Sequence, residues 1–98
     1  MLLLSRFKVS GHSMEPAISY GQQVLISFLP YFFSHPKEND IVAFKESNTG
    51  KIFIKRITEK KSERYFVKGD NTKDSLDSRT LGFIEKSDIL GKVIYILK

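Results

Sequence analysis

Residues 51–58 read Lys51-Ile52-Phe53-Ile54-Lys55-Arg56-Ile57-Thr58. Large apolar and charged side chains interleave here with many β-branched residues, which suits a pleated strand. On a strand Phe53, Lys55 and Ile57 share one face, and Ile52, Ile54 and Arg56 share the other. Lys55 is thus flanked on its own side by two large apolar neighbours. Upstream, Asn48-Thr49-Gly50 gives a short reversal after Ile41-Val42-Ala43-Phe44, so 41–44 and 51–58 form a hairpin.

Working outward, residues 6–9 alternate and form a first strand. Residues 22–28 form a second after the turn at Gly21. Pro30 and Pro36 bracket a loop. Downstream, 60–63 is a polar turn and 64–67 a strand. Residues 71–80 have almost no apolar content and form a loop. Phe83-Ile84 is a brief extended segment, 85–88 a turn and 89–97 a last strand. Gly91 marks a bulge or a tight approach within it. No amphipathic helix of ten or more residues is legible. The expectation is an all-β fold, a compact and strongly coiled β-sheet with long loops where the polar residues gather.

The chain has 98 residues, so one domain over 1–98 is expected. It is 41% hydrophobic, with eight Phe, four Tyr and no Trp, enough for a small core. It has no cysteine, which excludes a disulfide framework and a zinc–thiolate site. Lys plus Arg number 16 against 11 Asp plus Glu, a net charge of +5. That excess aids solubility and attraction to anionic surfaces, without indicating nucleic acid as a partner. The longest apolar-leaning stretch, 24–33, contains Pro30 and is about half the ~20 residues a helical membrane span needs. A soluble chain is expected, cytoplasmic or peripherally attached to a membrane.

Three polar clusters carry the chemistry. The first is Ser10-Gly11-His12-Ser13-Met14-Glu15-Pro16. Gly11 permits backbone angles closed to other residues, Pro16 stiffens the exit, and Met14 can pin the turn into a core. That is the support a nucleophilic Ser13 needs, and the Ser10 hydroxyl can join the Ser13 N–H in an oxyanion hole. A plain turn with two ordinary serines is the alternative. Neither histidine has an obvious acidic partner. His12, adjacent to Ser13, points the other way on an extended chain and is a poor base; it reads as a substrate-side or solvent-exposed residue, and His35 as a loop residue. No metal site follows from two histidines so far apart.

The second cluster is Lys55-Arg56. A lysine desolvated between apolar neighbours loses basicity and can take a proton from a serine hydroxyl. A charged lysine whose head reaches water is the alternative. Arg56 cannot act as a base and is expected to pair with a carboxylate or pack on the sheet. The third is Gly69-Asp70-Asn71 with Ser75, Asp77, Ser78 and Arg79, dense in residues that fix loops. Asp77 and Arg79 can pair, and Ser75 can aim the Lys55 amine at Ser13. The spacing of Asp70, Asp74 and Asp77 does not match an EF-hand loop.

Together, Ser10–Pro16, Ile54-Lys55-Arg56-Ile57, Gly69-Asp70-Asn71, Ser75–Arg79 and Gly82-Phe83 closely resemble the type I signal peptidase family of serine–lysine peptidases, in the family's order. The first segment is also shared with the self-cleaving LexA-like peptidases; the third separates the two. The resemblance implies a partly open β-barrel, Ser13 as nucleophile, Lys55 as general base and Ser10 as oxyanion support. It implies Ser75 as the residue orienting the lysine, and Asp77 and Arg79 as loop support. It further implies a substrate-binding strand at Phe7, Lys8, Val9 and Ser10, where a leader or precursor peptide adds as an extra strand and is cut after a small residue. No metal or organic cofactor is implied. The alternatives are a LexA-like self-cleaving domain and a silent β module that binds extended peptides. The sequence departs from the family pattern in having no transmembrane anchor before Ser13 and no large insertion after the lysine. Phe28, Leu29, Tyr31, Phe32 and Phe33 form an aromatic loop that suits a lipid interface, an apolar leader, core packing or a dimer contact.

Overall fold

The computed structural model describes residues 4–71 and 83–97. Among these residues seven strands follow in chain order: β1 (Leu4–Lys8), β2 (Gln23–Ser27), β3 (Ile41–Lys45), β4 (Ile52–Lys61), β5 (Arg64–Lys68), β6 (Ile84–Glu85) and β7 (Ile89–Ile96). They form one antiparallel sheet in the order β1-β2-β7-β3-β4-β5-β6. The hairpin of 41–44 with 51–58 is present in register, with Val42 opposite Lys55 and Phe44 opposite Phe53. β7, last in the chain, inserts between β2 and β3.

The centre of the sheet is covered on both faces. β3 alternates between two apolar clusters: Val42 and Phe44 pack with Tyr31, Ile57, Tyr65 and Val67, while Ala43 packs with Val9, Met14, Ile18, Val24 and Ile26. This explains the unbroken apolar run of 41–44, the pattern of a strand buried on two sides.

Three register shifts bend the sheet, leaving Ile94, Leu90 and Thr58 as extra residues in their strands. β1 and β6 stay at opposite edges, so the sheet coils without closing. Gly91 is the close approach the sequence predicts. A Cβ there would lie 2.9 Å from the Ser27 carbonyl carbon and 3.0 Å from its oxygen.

Three expectations need correction. The first strand, expected over 6–9, is Leu4–Lys8, because Val9 already closes the base of the next loop through its bonds to Gln22 and Gly21. The turn predicted over 60–63 is only Ser62-Glu63, because β4 continues to Lys61 against Arg64 and Tyr65. Ser62 takes the positive φ (55°) that this tight reversal needs. The Lys60 ammonium also lies 5.8 Å from the Tyr65 ring centre, so a residue that reads as turn is held in the ladder. The 30–36 loop contains a helical turn, α1 (Pro30–Phe33), with Pro30 at its start, where a missing N–H costs nothing.

Candidate active site

The loop from Val9 to Gln22 joins β1 to β2 and carries Ser10 and Ser13. Its base is closed by two backbone hydrogen bonds, Val9 N–H to Gln22 C=O and Gly21 N–H to Val9 C=O, both 2.8 Å. Gly11 and Gly21 take positive φ values of 102° and 82° there. Met14 and Ile18 are 1% and 0% exposed, so the loop is anchored in the second apolar cluster. The Glu15–Pro16 peptide bond is cis.

The third sequence cluster holds this loop from across the fold. Asn71 N–H donates to the Ser13 carbonyl (2.7 Å), and Asn71 Nδ2 donates to the His12 carbonyl (3.0 Å). Asp70, next to Asn71, receives a forked pair of bonds from Arg56: Nε to Oδ1 at 2.9 Å and Nη2 to Oδ2 at 2.8 Å. Arg56 Nη1 donates to the Asn39 carbonyl (3.0 Å). Arg56 thus pairs with a carboxylate, as the sequence suggests, and Asp70 raises its already high basicity. The chain of contacts Arg56–Asp70–Asn71–Ser13 couples the strand bearing Lys55 to the backbone of the serine loop.

His12 does have an acidic partner, contrary to the sequence reading. Its Nδ1 lies 3.0 Å from Glu15 Oε2, and its ring stacks on Tyr20 at 5.2 Å. The tight turn at Met14 folds a residue three positions away back onto the histidine, a proximity that extended geometry hides. The hydrogen bond from His12, with a weaker one from the Tyr20 N–H, holds the Glu15 carboxyl below the usual carboxylate range. His12 remains exposed, as expected.

A groove of about 220 Å³ runs between Phe7, Lys8, Val9 and Ser10 on one wall and Lys51, Ile52, Phe53 and Ile54 on the other, with Ser13 at its lining. Both walls are strand margins. Among the described residues β1 pairs only with β2, and residues 52–55 of β4 pair with β3 while β5 begins its pairing at Arg56. Ser10, Ser13 and the predicted substrate strand are therefore brought to one place. Lys55 directly follows the groove residue Ile54 and is 3% exposed, so its head does not reach solvent. Its ammonium lies 5.9 Å from the ring centre of Phe53, itself a groove residue. Ser75, Asp77 and Arg79 lie outside the described residues, as do Ser78 and Gly82. Among the described residues, no group of three or more His, Cys, Asp or Glu stands together that could hold a metal ion.

Away from the groove, the aromatic loop divides. Tyr31 is buried and donates to Asp40 Oδ2 at 2.7 Å; burial first, then Asp40, pushes its phenol pKa up. Phe28 packs against the first apolar cluster. Leu29, Phe32 and Phe33 are 45%, 58% and 85% exposed. Only these three of the five are open to a partner, because α1 turns Tyr31 inward. Among the described residues, no helix is long and apolar enough to cross a membrane.

These features agree with sequence comparison. The family described as Signal peptidase, peptidase S26 matches residues 1–60 and 58–97. The chain belongs to that family. Signal peptidase I of Buchnera aphidicola subsp. Baizongia pistaciae (strain Bp) is 37% identical over 51 residues, a match covering 46% of this chain. The chain spans only 16% of that relative's length.

Proposed function

We propose that this chain is a serine–lysine endopeptidase that cuts an extended leader or precursor peptide after a small residue. The observation that carries the reading is the groove between two strand margins, with Ser10 and Ser13 in its lining and a buried lysine one residue beyond its wall. A peptide in that groove lies along Phe7, Lys8, Val9 and Ser10 and gains backbone hydrogen bonds from the edge of β1 and its continuation, except at Val9, whose N–H and C=O are already bonded to Gln22 and Gly21. Its carbonyl then meets Ser13. The uncharged Lys55 amine takes the Ser13 hydroxyl proton as Oγ attacks. The Ser13 N–H and the Ser10 hydroxyl donate to the oxyanion that forms. The C–N bond breaks as the lysine returns the proton to the leaving amine, and water later releases the acyl group by the same route. Ser75 orients the lysine, and Asp77 with Arg79 supports the loop, as the family resemblance implies.

The test is cleavage of a peptide library by wild type, Ser13→Ala and Lys55→Met. Cleavage after small residues by wild type, with at least about a 10³-fold loss in each variant, is expected. Undiminished cleavage by Lys55→Met sinks the mechanism. We further propose that Leu29, Phe32 and Phe33 touch a lipid interface; their exposure beside an anchored Tyr31 supports this.

A further inference from the structure

Among the described residues the groove's charge is one-sided: its charged lining residues are Lys8 and Lys51, both exposed, and neither is ion-paired with a described residue. Lys45, at the end of β3, pairs opposite the groove residue Ile52. Arg6 stands two residues before Lys8 on the same exposed face of β1. Among the described residues, the carboxylates of Glu46 and Glu15 are committed elsewhere. Glu46 accepts from the backbone N–H groups of Asn48 and Thr49 and from the Thr49 hydroxyl, each at 2.8 Å. Glu15 is held by His12 and Tyr20. The rest of the described lining is largely apolar, with Phe7, Val9, Ile52, Phe53 and Ile54.

A peptide extended along such a groove turns alternate side chains toward the floor and the others toward the rim. Lys8 lies on the exposed face of β1, opposite to half-buried Phe7, so the rim charge meets the outward set. We infer that the preferred substrate carries acidic side chains at alternate, outward-facing positions next to the cut bond, and that Lys8 and Lys51 select them while repelling basic residues. This rests on the groove being the peptide site. Each contact is solvent-screened, so its worth lies in discrimination more than in affinity.

The experiment uses one cleavable peptide with Glu, Gln or Lys placed in turn at each position beside the cut. In low salt, kcat/KM should follow Glu above Gln above Lys at alternate positions, by about three- to fivefold per step. Lys8→Glu and Lys51→Glu should each invert the order at their own position. Both effects should fade in 1 M NaCl, where the screening length is about 3 Å. Equal rates for the three charges, or an order unchanged in both variants, overturns the inference. The same peptides are titrated by anisotropy against Ser13→Ala. Binding ordered by charge without wild-type cleavage keeps this inference and sinks the proteolytic reading. Cleavage with no charge order, in rate or binding, does the reverse.

Discussion

Asn71 shows how much one side chain can organise. Its amide spans from the third polar cluster to the His12 carbonyl, while its backbone N–H fixes Ser13. Asn71→Ala keeps the backbone bond and removes the side-chain bond to His12, whose loss is expected to cost about 1 kcal/mol, with a small fall in Tm. On the proposed mechanism the effect on turnover should be larger, about tenfold in kcat with KM little changed, because the proposed nucleophile Ser13, displaced by a fraction of an ångström, would react slowly. Melting curves and steady-state cleavage measure the two separately. Glu46 offers a test in pH. It is 7% exposed, and the Asn48 N–H, the Thr49 hydroxyl and the Thr49 N–H hold its carboxyl below the ordinary range. A depressed carboxyl stabilises the fold above the unfolded-state pKa, about 4.3, and that stabilisation is lost as pH falls through the lower folded value. Glu46→Gln should therefore lower Tm at neutral pH and flatten its decline on acidification. An equally steep acid decline in the variant would assign that loss to other carboxyls.

At the scale of the element, β7 is the strand on which the sheet depends. It pairs with β2 on one side and β3 on the other, and Gly91 lets the backbone of Ser27 come within reach of where a Cβ would stand. Backbone cannot step aside as a flexible side chain would. Gly91→Ala should cost about 1–3 kcal/mol, read as a lower urea midpoint with an unchanged m-value. Arg56 works at the same scale by tying β4 to the Asp70 turn. Arg56→Lys keeps the charge but loses the fork, and should weaken cleavage while the melting temperature falls only modestly. The same strand explains why Lys55 is dry. Its pairing partner is Val42, and Val42 and Ile57 are both fully buried.

For the whole molecule, the exposed group Leu29, Phe32 and Phe33 and the net charge of +5 bear on membrane contact together. Anionic vesicles should retain wild type in flotation, and Phe32→Ser with Phe33→Ser should release it at unchanged Tm, since neither side chain is core. Retention by the double variant would move the contact elsewhere. The sheet itself accounts for the arrangement of functions. Its coil brings the β1 edge opposite residues 51–54, and the open margin of both leaves room for a further strand.

Alternation and turn residues were enough to locate the strands, with some ends displaced, because a half-buried strand alternates and reversals favour Gly, Asn or Ser; β3, buried on both faces, is legible instead as an apolar run between turns. The order of motifs was enough to read the family, since the chemistry demands those residue types in supportive local contexts. Strand order was beyond such reading: that β7 inserts between β2 and β3 depends on long-range packing, to which local pattern is blind. So was the hold of Asn71 on Ser13 across 58 positions of chain, and so was the inward turn of Tyr31 toward Asp40. Alternation says which side chains share a face. Only the coiled sheet decides which faces meet, because that is set by how two apolar clusters fill space on either side of β3.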